Sequence, residues 1–185
     1  MKVISAISTL TALLLLQGCS TTGMPGHVSE SVSKFDNTRQ ISMEPAWLYD
    51  SPIKLSLFWN SNMKNGDIYL YGTVKGAHSI ARGQSLHFNV DGKIKSFSST
   101  DTFTDFQTTS GGVYNSSYIA GSNWSTKRYL INSKFLTEIL SAKYVAVKID
   151  LQKEYVEGVF SRDAMTTARP AFRNFRAKAS RYWAR

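Results

Sequence analysis

The amino-acid sequence predicts a β-dominated domain, all-β or α+β, built as a small antiparallel β-sandwich with a short helix near 133–142 and a basic amphipathic helix near 167–183. Three observations predict it. Apolar residues alternate with polar ones at Ile53, Leu55, Leu57 and Trp59, at Ile68, Leu70 and Val74, and at Val145, Val147, Ile149 and Leu151, the period of strands with one buried face. Asp91-Gly92 is the dipeptide that tight hairpins favour, because both turn positions need a positive φ. Helical spacing is confined to two segments, Phe135 to Leu140 and the final stretch from Thr167.

Taken in order, structure is expected from about Pro45-Ala46-Trp47 onward. The runs Ile53 to Trp59 and Asp67 to Val74 form an antiparallel pair across the loop Asn60 to Gly66, and Ser85 to Val90 pairs with Lys93 to Phe97 across Asp91-Gly92. Ser98 to Ser125 is rich in Ser, Thr, Gly and aromatic residues and is too long for a plain loop, so one or two short strands are expected within it. Lys127 to Ile131 reads as a further strand. Ser133 stands where a helix cap belongs, ahead of Phe135, Leu136, Ile139 and Leu140. Tyr144 to Leu151 is the clearest strand, Gln152 to Glu154 turns it back, and Tyr155 to Phe160 returns. In the last helix Ala168, Phe172, Phe175, Ala179 and Tyr182 share a face, and Pro170 must sit in the first turn with Thr166 or Thr167 as cap. Arg169, Arg173 and Arg176 flank that face in a narrow arc, an edge suited to an anionic surface or to plain solvation over a core helix.

The first residues carry different information. Lys2 is followed by a run from Val3 to Leu16 interrupted only by Ser and Thr, too short to cross a bilayer core comfortably and patterned as a secretory leader. Leu16-Gln17-Gly18-Cys19 resembles the lipobox of bacterial lipoprotein signal peptides, with Gln17 in place of the commoner small residue. The resemblance covers the leader alone. It implies cleavage between Gly18 and Cys19, diacylglycerol on the Cys19 sulfur and an acylated amine, an anchor that is effectively permanent. Ser20 stands where an inner-membrane retention signal has Asp, which implies the outer membrane; the periplasmic face is the expected side.

The expected organisation is therefore a signal peptide over 1–18, a tether over 19–43 and one β-rich domain over 44–185. About 25 residues of coil give a reach of roughly 25 to 30 Å. Two readings of the tether's second half stay open: free coil, or an edge segment packed through Phe35 and Ile41. The formal charge is +9, of which the leader contributes only Lys2. In the envelope such a charge favours lipopolysaccharide, anionic headgroups, peptidoglycan carboxylates or an envelope protein, and the export signal removes nucleic acid from the expected partners.

No catalytic signature accompanies the anchor. G-x-S-x-G, H-E-x-x-H and the phosphate loop are absent, and the S-x-x-K runs at Ser31 and Ser61 lack their companion motifs. His27, His78 and His87 form no H-x-x-x-H pair, and Cys19 is committed to lipid, so no metal and no cofactor are expected. A triad assembled from distant residues, or acid–base work by Asp101 with Asp105 or Glu154 with Glu157, is permitted by composition without being indicated. Tyr114, Tyr118 and Trp124 mark an aromatic stretch suited to stacking on sugars or meeting a protein. The function expected is a non-enzymatic, lipid-anchored binding or structural module. The alternatives are an envelope enzyme acting on peptidoglycan or another glycan, and a lysozyme-inhibitor-like module, against which the positive charge argues because lysozymes are usually basic.

Overall fold

Alternating apolar residues pair into two antiparallel sheets that enclose one core. The computed structural model describes residues 25–110, 112–114, 117–119, 121–161 and 168–183, with backbone alone given for the strands between 112 and 119. The leader, Cys19, Thr166 and Thr167 lie outside the described residues.

The larger sheet contains β1 (Val28–Val32), β2 (Arg39–Trp47), β3 (Ile53–Asn60), β4 (Asp67–Lys75), β7 (Asp105–Thr109) and β10 (Ser122–Asn132), in the order β1-β2-β3-β4-β10-β7. The smaller contains β5 (Gln84–Val90), β6 (Lys93–Ser98), β11 (Val145–Asp150) and β12 (Tyr155–Ser161), in the order β12-β11-β5-β6. A separate hairpin joins β8 (Gly112–Tyr114) to β9 (Ser117–Ile119). Bridges between Tyr49 and Val159 and between Ser99 and Tyr129 tie the two sheets together at their margins, so the larger sheet curls toward the smaller one. The β-dominated sandwich expected from the alternation is thus the fold observed.

Between the sheets lie Ile41, Leu55, Leu57, Ile68, Leu70, Leu86, Phe88, Val147, Ile149 and Phe160, all buried. The four-stranded sheet does not cover the six-stranded one, and two helices complete the layer. Helix α1 (Ser133–Ser141) buries Phe135, Leu136, Ile139 and Leu140, the residues its periodicity marks. Its cap is Asn132 rather than Ser133: the Asn132 side chain accepts from the Phe135 amide at 2.8 Å, while the Ser133 amide bonds the Gly66 carbonyl at 2.7 Å. Helix α2 (Ala168–Trp183) lays Ala168, Ala171, Phe172, Phe175 and Ala179 against β1, β2, β3, β12 and α1, with Pro170 in its first turn.

The boundary of the domain differs from the expected one. Residues 28–43, placed in the tether, form β1 and most of β2. Their apolar alternation is short, Ile41 and Met43 buried and then a register shift before Ala46 that leaves Glu44 and Pro45 exposed. Such a bulge admits a proline where a regular strand does not, and it breaks the period by which the strand was to be recognised. Of the two residues expected to pack as an edge segment, Ile41 is fully buried and Phe35 is 99% exposed in the β1–β2 turn. The stretch Ser98 to Ser125 holds three strands and the start of β10, more than the one or two expected.

Polar groups sit inside the core as well, Ser85, Tyr129 and Lys127 among them. Ser85 and Tyr129 share a hydrogen bond of 2.9 Å between their hydroxyls, and burial pushes the Tyr129 phenol up to about 12. Lys127, 1% exposed, donates to the Ala81 carbonyl at 3.1 Å, and burial lowers its pKa. Its period-two spacing from Tyr129 and Ile131 places it on the inward face of β10.

Candidate functional site

The outer face of the six-stranded sheet carries the densest set of recognition-type side chains. Strand pairing sets them in rungs. Lys54 on β3 stands opposite Trp47 on β2 and Thr73 on β4, and Thr73 stands opposite Thr126 on β10. The next rung runs Ser56, Tyr71, Arg128. Trp124 and Gln107 face each other between β10 and β7. Their neighbours along β3, β4 and β10 are buried, among them Leu55, Leu57, Leu70, Ser125, Lys127 and Tyr129, so these residues point outward by the pleat alone.

Lys54 is held between two indoles, its Nζ 4.4 Å from the Trp47 ring centre and 3.7 Å from that of Trp124, and the two indoles meet edge-on at 5.5 Å. Burial there, reinforced by the nearby Lys75 charge, holds the Lys54 ammonium below the ordinary lysine range. No carboxylate pairs with Lys54 among the described residues. The Thr73 and Thr126 hydroxyls bond each other at 2.9 Å, and Gln107 turns its amide nitrogen to Asp105 at 3.1 Å, leaving its carbonyl to accept. Walls from the β2 bulge at Pro45 and from Trp124, Gln107 and Thr109 enclose a depression of about 430 Å³. Such a trough presents flat apolar rings, hydroxyls, an amide and a single cation, the equipment of a binding surface.

The other sequence-marked residues are dispersed. Arg169 is a structural arginine: Nη1 donates to Ser161 Oγ at 2.5 Å and Nη2 to the Leu140 and Ala142 carbonyls at 2.8 and 3.1 Å. Expected at an anionic surface together with Arg173 and Arg176, it here spends its donors within the fold and closes the C-terminal end of α1. Arg173 and Arg176 are exposed and rim a depression beside Leu140 and Ser141. Tyr114 and Tyr118 fall in β8 and β9, whose side chains are outside the described residues, so of the aromatic trio only Trp124 is placed. Asp101 is engaged by Arg128, through its amide at 2.8 Å and its Nη2 at 2.9 Å, and does not pair with Asp105.

A second constellation crosses the outer face of the smaller sheet. His87 lies between Ser96 and Asp150, its Nδ1 2.7 Å from Ser96 Oγ and its Nε2 2.8 Å from Asp150 Oδ2, and Lys148 reaches Asp150 Oδ1 at 3.1 Å. Ser96 and His87 are register partners on β6 and β5, so the line is first of all a cross-strand ladder. Burial acts to raise the Asp150 pKa, but the bonds from His87 and Lys148 outweigh it and leave the carboxyl below its usual value. In the β1–β2 turn, hydrogen bonds from Ser33 and Thr38 hold Asp36 down to about 2. Both groups have a folded-state pKa below the unfolded one, so what they add to stability is complete above the ordinary carboxylate range and is lost as pH falls through their lowered values, which for Asp36 is about 2. Urea midpoints taken between about pH 5 and pH 2 should therefore fall for the native chain and fall less for an Asp36→Asn, Asp150→Asn double variant.

Trp47, Lys54, Tyr71 and Gln107 escaped the sequence reading. A signal existed: Lys54, Ser56 and Phe58 form the outward set of β3, and an aromatic there has no core to fill. Among the described residues no three His, Cys, Asp or Glu side chains converge as metal ligands, and no helix is long and apolar enough to cross a membrane. Compared with known proteins, the chain matches no family model, no curated protein and no solved structure.

Proposed function

We propose that this chain is a lipid-anchored lipoprotein of the bacterial outer membrane whose β-sandwich serves as a non-enzymatic binding module toward anionic envelope components. The observation that carries the reading is Leu16-Gln17-Gly18-Cys19 placed a short way ahead of the first strand. From Cys19 to Val28 there are roughly nine residue steps, which span at most about 30 Å. The domain is then held against the headgroups rather than clear of them. The start of β1 lies beside the basic helix, since Lys178 Nζ donates to the Val28 carbonyl at 2.7 Å. Arg173 and Arg176 on the same helix supply charge suited to lipid phosphates.

Cys19→Ala in the full chain should leave the precursor unlipidated and move the protein from the membrane fraction to the soluble one. If the variant still sediments with membranes at high salt, the anchor is not Cys19 and the reading fails.

A second reading is favoured by the Ser96–His87–Asp150 line, whose three residue types match those of a hydrolase acting on an envelope ester or amide. In it Ser96 meets Nδ1 and the carboxylate meets Nε2. A fluorophosphonate probe that labels the native chain but not Ser96→Ala would establish it; an unlabelled native chain leaves the line as a strand ladder.

A further inference from the structure

We infer that the trough on the outer face of the six-stranded sheet binds a glycan strand of N-acetylated amino sugars bearing carboxylates, the chemistry of peptidoglycan, with Trp124 stacking on a sugar ring and Lys54 pairing with a carboxylate. The inference rests on the envelope setting proposed above for the choice of glycan. The site itself rests on geometry.

The trough crosses the sheet from the β2 bulge to β7, four strand spacings or about 19 Å, so it is an elongated site suited to a chain of rings. Its surface alternates in character along that length. Pro45 gives an apolar step, Lys54 a cation, Thr73 and Thr126 a pair of hydroxyls, Trp124 a flat indole and Gln107 a free amide carbonyl. A pyranose has the complementary alternation, with apolar C–H faces and a rim of hydroxyls and amides. A lipid tail would meet neither the remaining capacity of the paired Thr73 and Thr126 hydroxyls nor the Gln107 carbonyl, at the cost of desolvating them. Lipopolysaccharide sugars carry clustered phosphates and would call for several cations, whereas among the described residues Lys54 is the one cation lining the trough, and Arg128 is already bound by Asp101.

Charge complementarity sets the anion. Lys54 and Lys75 are close enough to repel, and no carboxylate of the described chain compensates Lys54. The carboxylate of a muramyl unit or its stem peptide supplies that charge at the trough floor, between indoles that exclude water and so strengthen the pairing.

The test is co-sedimentation of the full-length chain, in detergent, with purified peptidoglycan sacculi. The native chain should sediment. Trp124→Ala should weaken binding about tenfold or more, as for a central aromatic anchor, with an unchanged thermal midpoint. Lys54→Gln should lower affinity for soluble carboxylate-bearing muropeptides and not for neutral chitin oligomers. Thr126→Val, which keeps the side-chain volume, should also weaken binding and stands in if Trp124→Ala fails to fold. Absence of sedimentation in a chain that still fractionates with membranes through Cys19 overturns this inference and leaves the anchored-module reading intact. Full binding by folded Trp124→Ala overturns it as well. So does loss of lipopolysaccharide binding in the trough variants when sacculi bind none.

Discussion

Phe172→Ala should lower the stability of the domain by about 3–5 kcal/mol, the cost of removing a large aromatic from a packed site and leaving most of the cavity behind. Phe172 is fully buried and meets Phe160 of β12 edge to face, ring centres 4.8 Å apart. It belongs to the helix that covers the part of the large sheet left open by the small one, so no strand is available to move into the gap. Against a total of about 5–15 kcal/mol for a domain, such a loss brings the midpoint of urea unfolding down by about 2 M at a slope near 2 kcal/mol per molar. Phe35→Ala supplies the contrast: this ring is 99% exposed, and its removal should change stability by less than about 0.5 kcal/mol. A Phe172→Ala midpoint within 0.5 M of the native value, a shift of about 1 kcal/mol at that slope, would show that α2 is not part of the cooperative core.

Arg169→Ala should cost about 2–4 kcal/mol, measured by the same unfolding curves, because two carbonyls at the end of α1 and the Ser161 hydroxyl lose their donor at once. Lys at this position recovers only part of it, since an ammonium lacks the planar fork that spans several acceptors. Arg173→Gln with Arg176→Gln, both on exposed positions, should stay within about 0.5 kcal/mol of native and instead weaken binding to anionic vesicles at low salt. The three arginines share an arc on the helix wheel but not a role. Equal destabilisation by all three substitutions would refute that division.

The local fold was readable wherever one buried face imposed a strict period. β3, β4, β5 and β11 follow from alternation, β6 and β12 follow as the returning strands of hairpins, and the apolar faces of α1 and α2 follow from three-and-four spacing. β1 and β2 were not, because the bulge at Glu44-Pro45 interrupts a short pattern and β1 keeps its place through Glu30. That carboxylate accepts from the Tyr182 hydroxyl at 2.8 Å and from Arg39 at 2.5 Å, partners no local period announces. The strand order was equally hidden: β10 lies between β4 and β7, and β11 between β12 and β5, pairings that depend on how the core closes. The candidate trough shares this fate. Trp124 was marked as an exposed aromatic in a polar stretch, but Trp47 and Lys54 come to it only through the neighbouring strands, and Arg169 looked like its surface neighbours until α1 was packed beneath it.

The fastening of Val28 to Lys178 also determines how the domain bears mechanical load. Under the proposed anchoring, with the outer membrane holding Cys19 and the cell wall holding the large sheet, the domain would act as a tie rod, and tension would enter at the start of a five-residue edge strand. An edge strand pulled from its end peels one ladder bond at a time. Here the helix shares the load with the ladder: the Glu44 amide of β2 holds the His27 carbonyl at 2.8 Å, Lys178 of α2 holds the next carbonyl, Val28, and Glu30, two residues on, is clamped by Tyr182 and Arg39. Such a force would divide between β2 and α2 and pass from both to the core, and the strand that the sequence disguised as a leash would be the joint that keeps the leash from unzipping the fold.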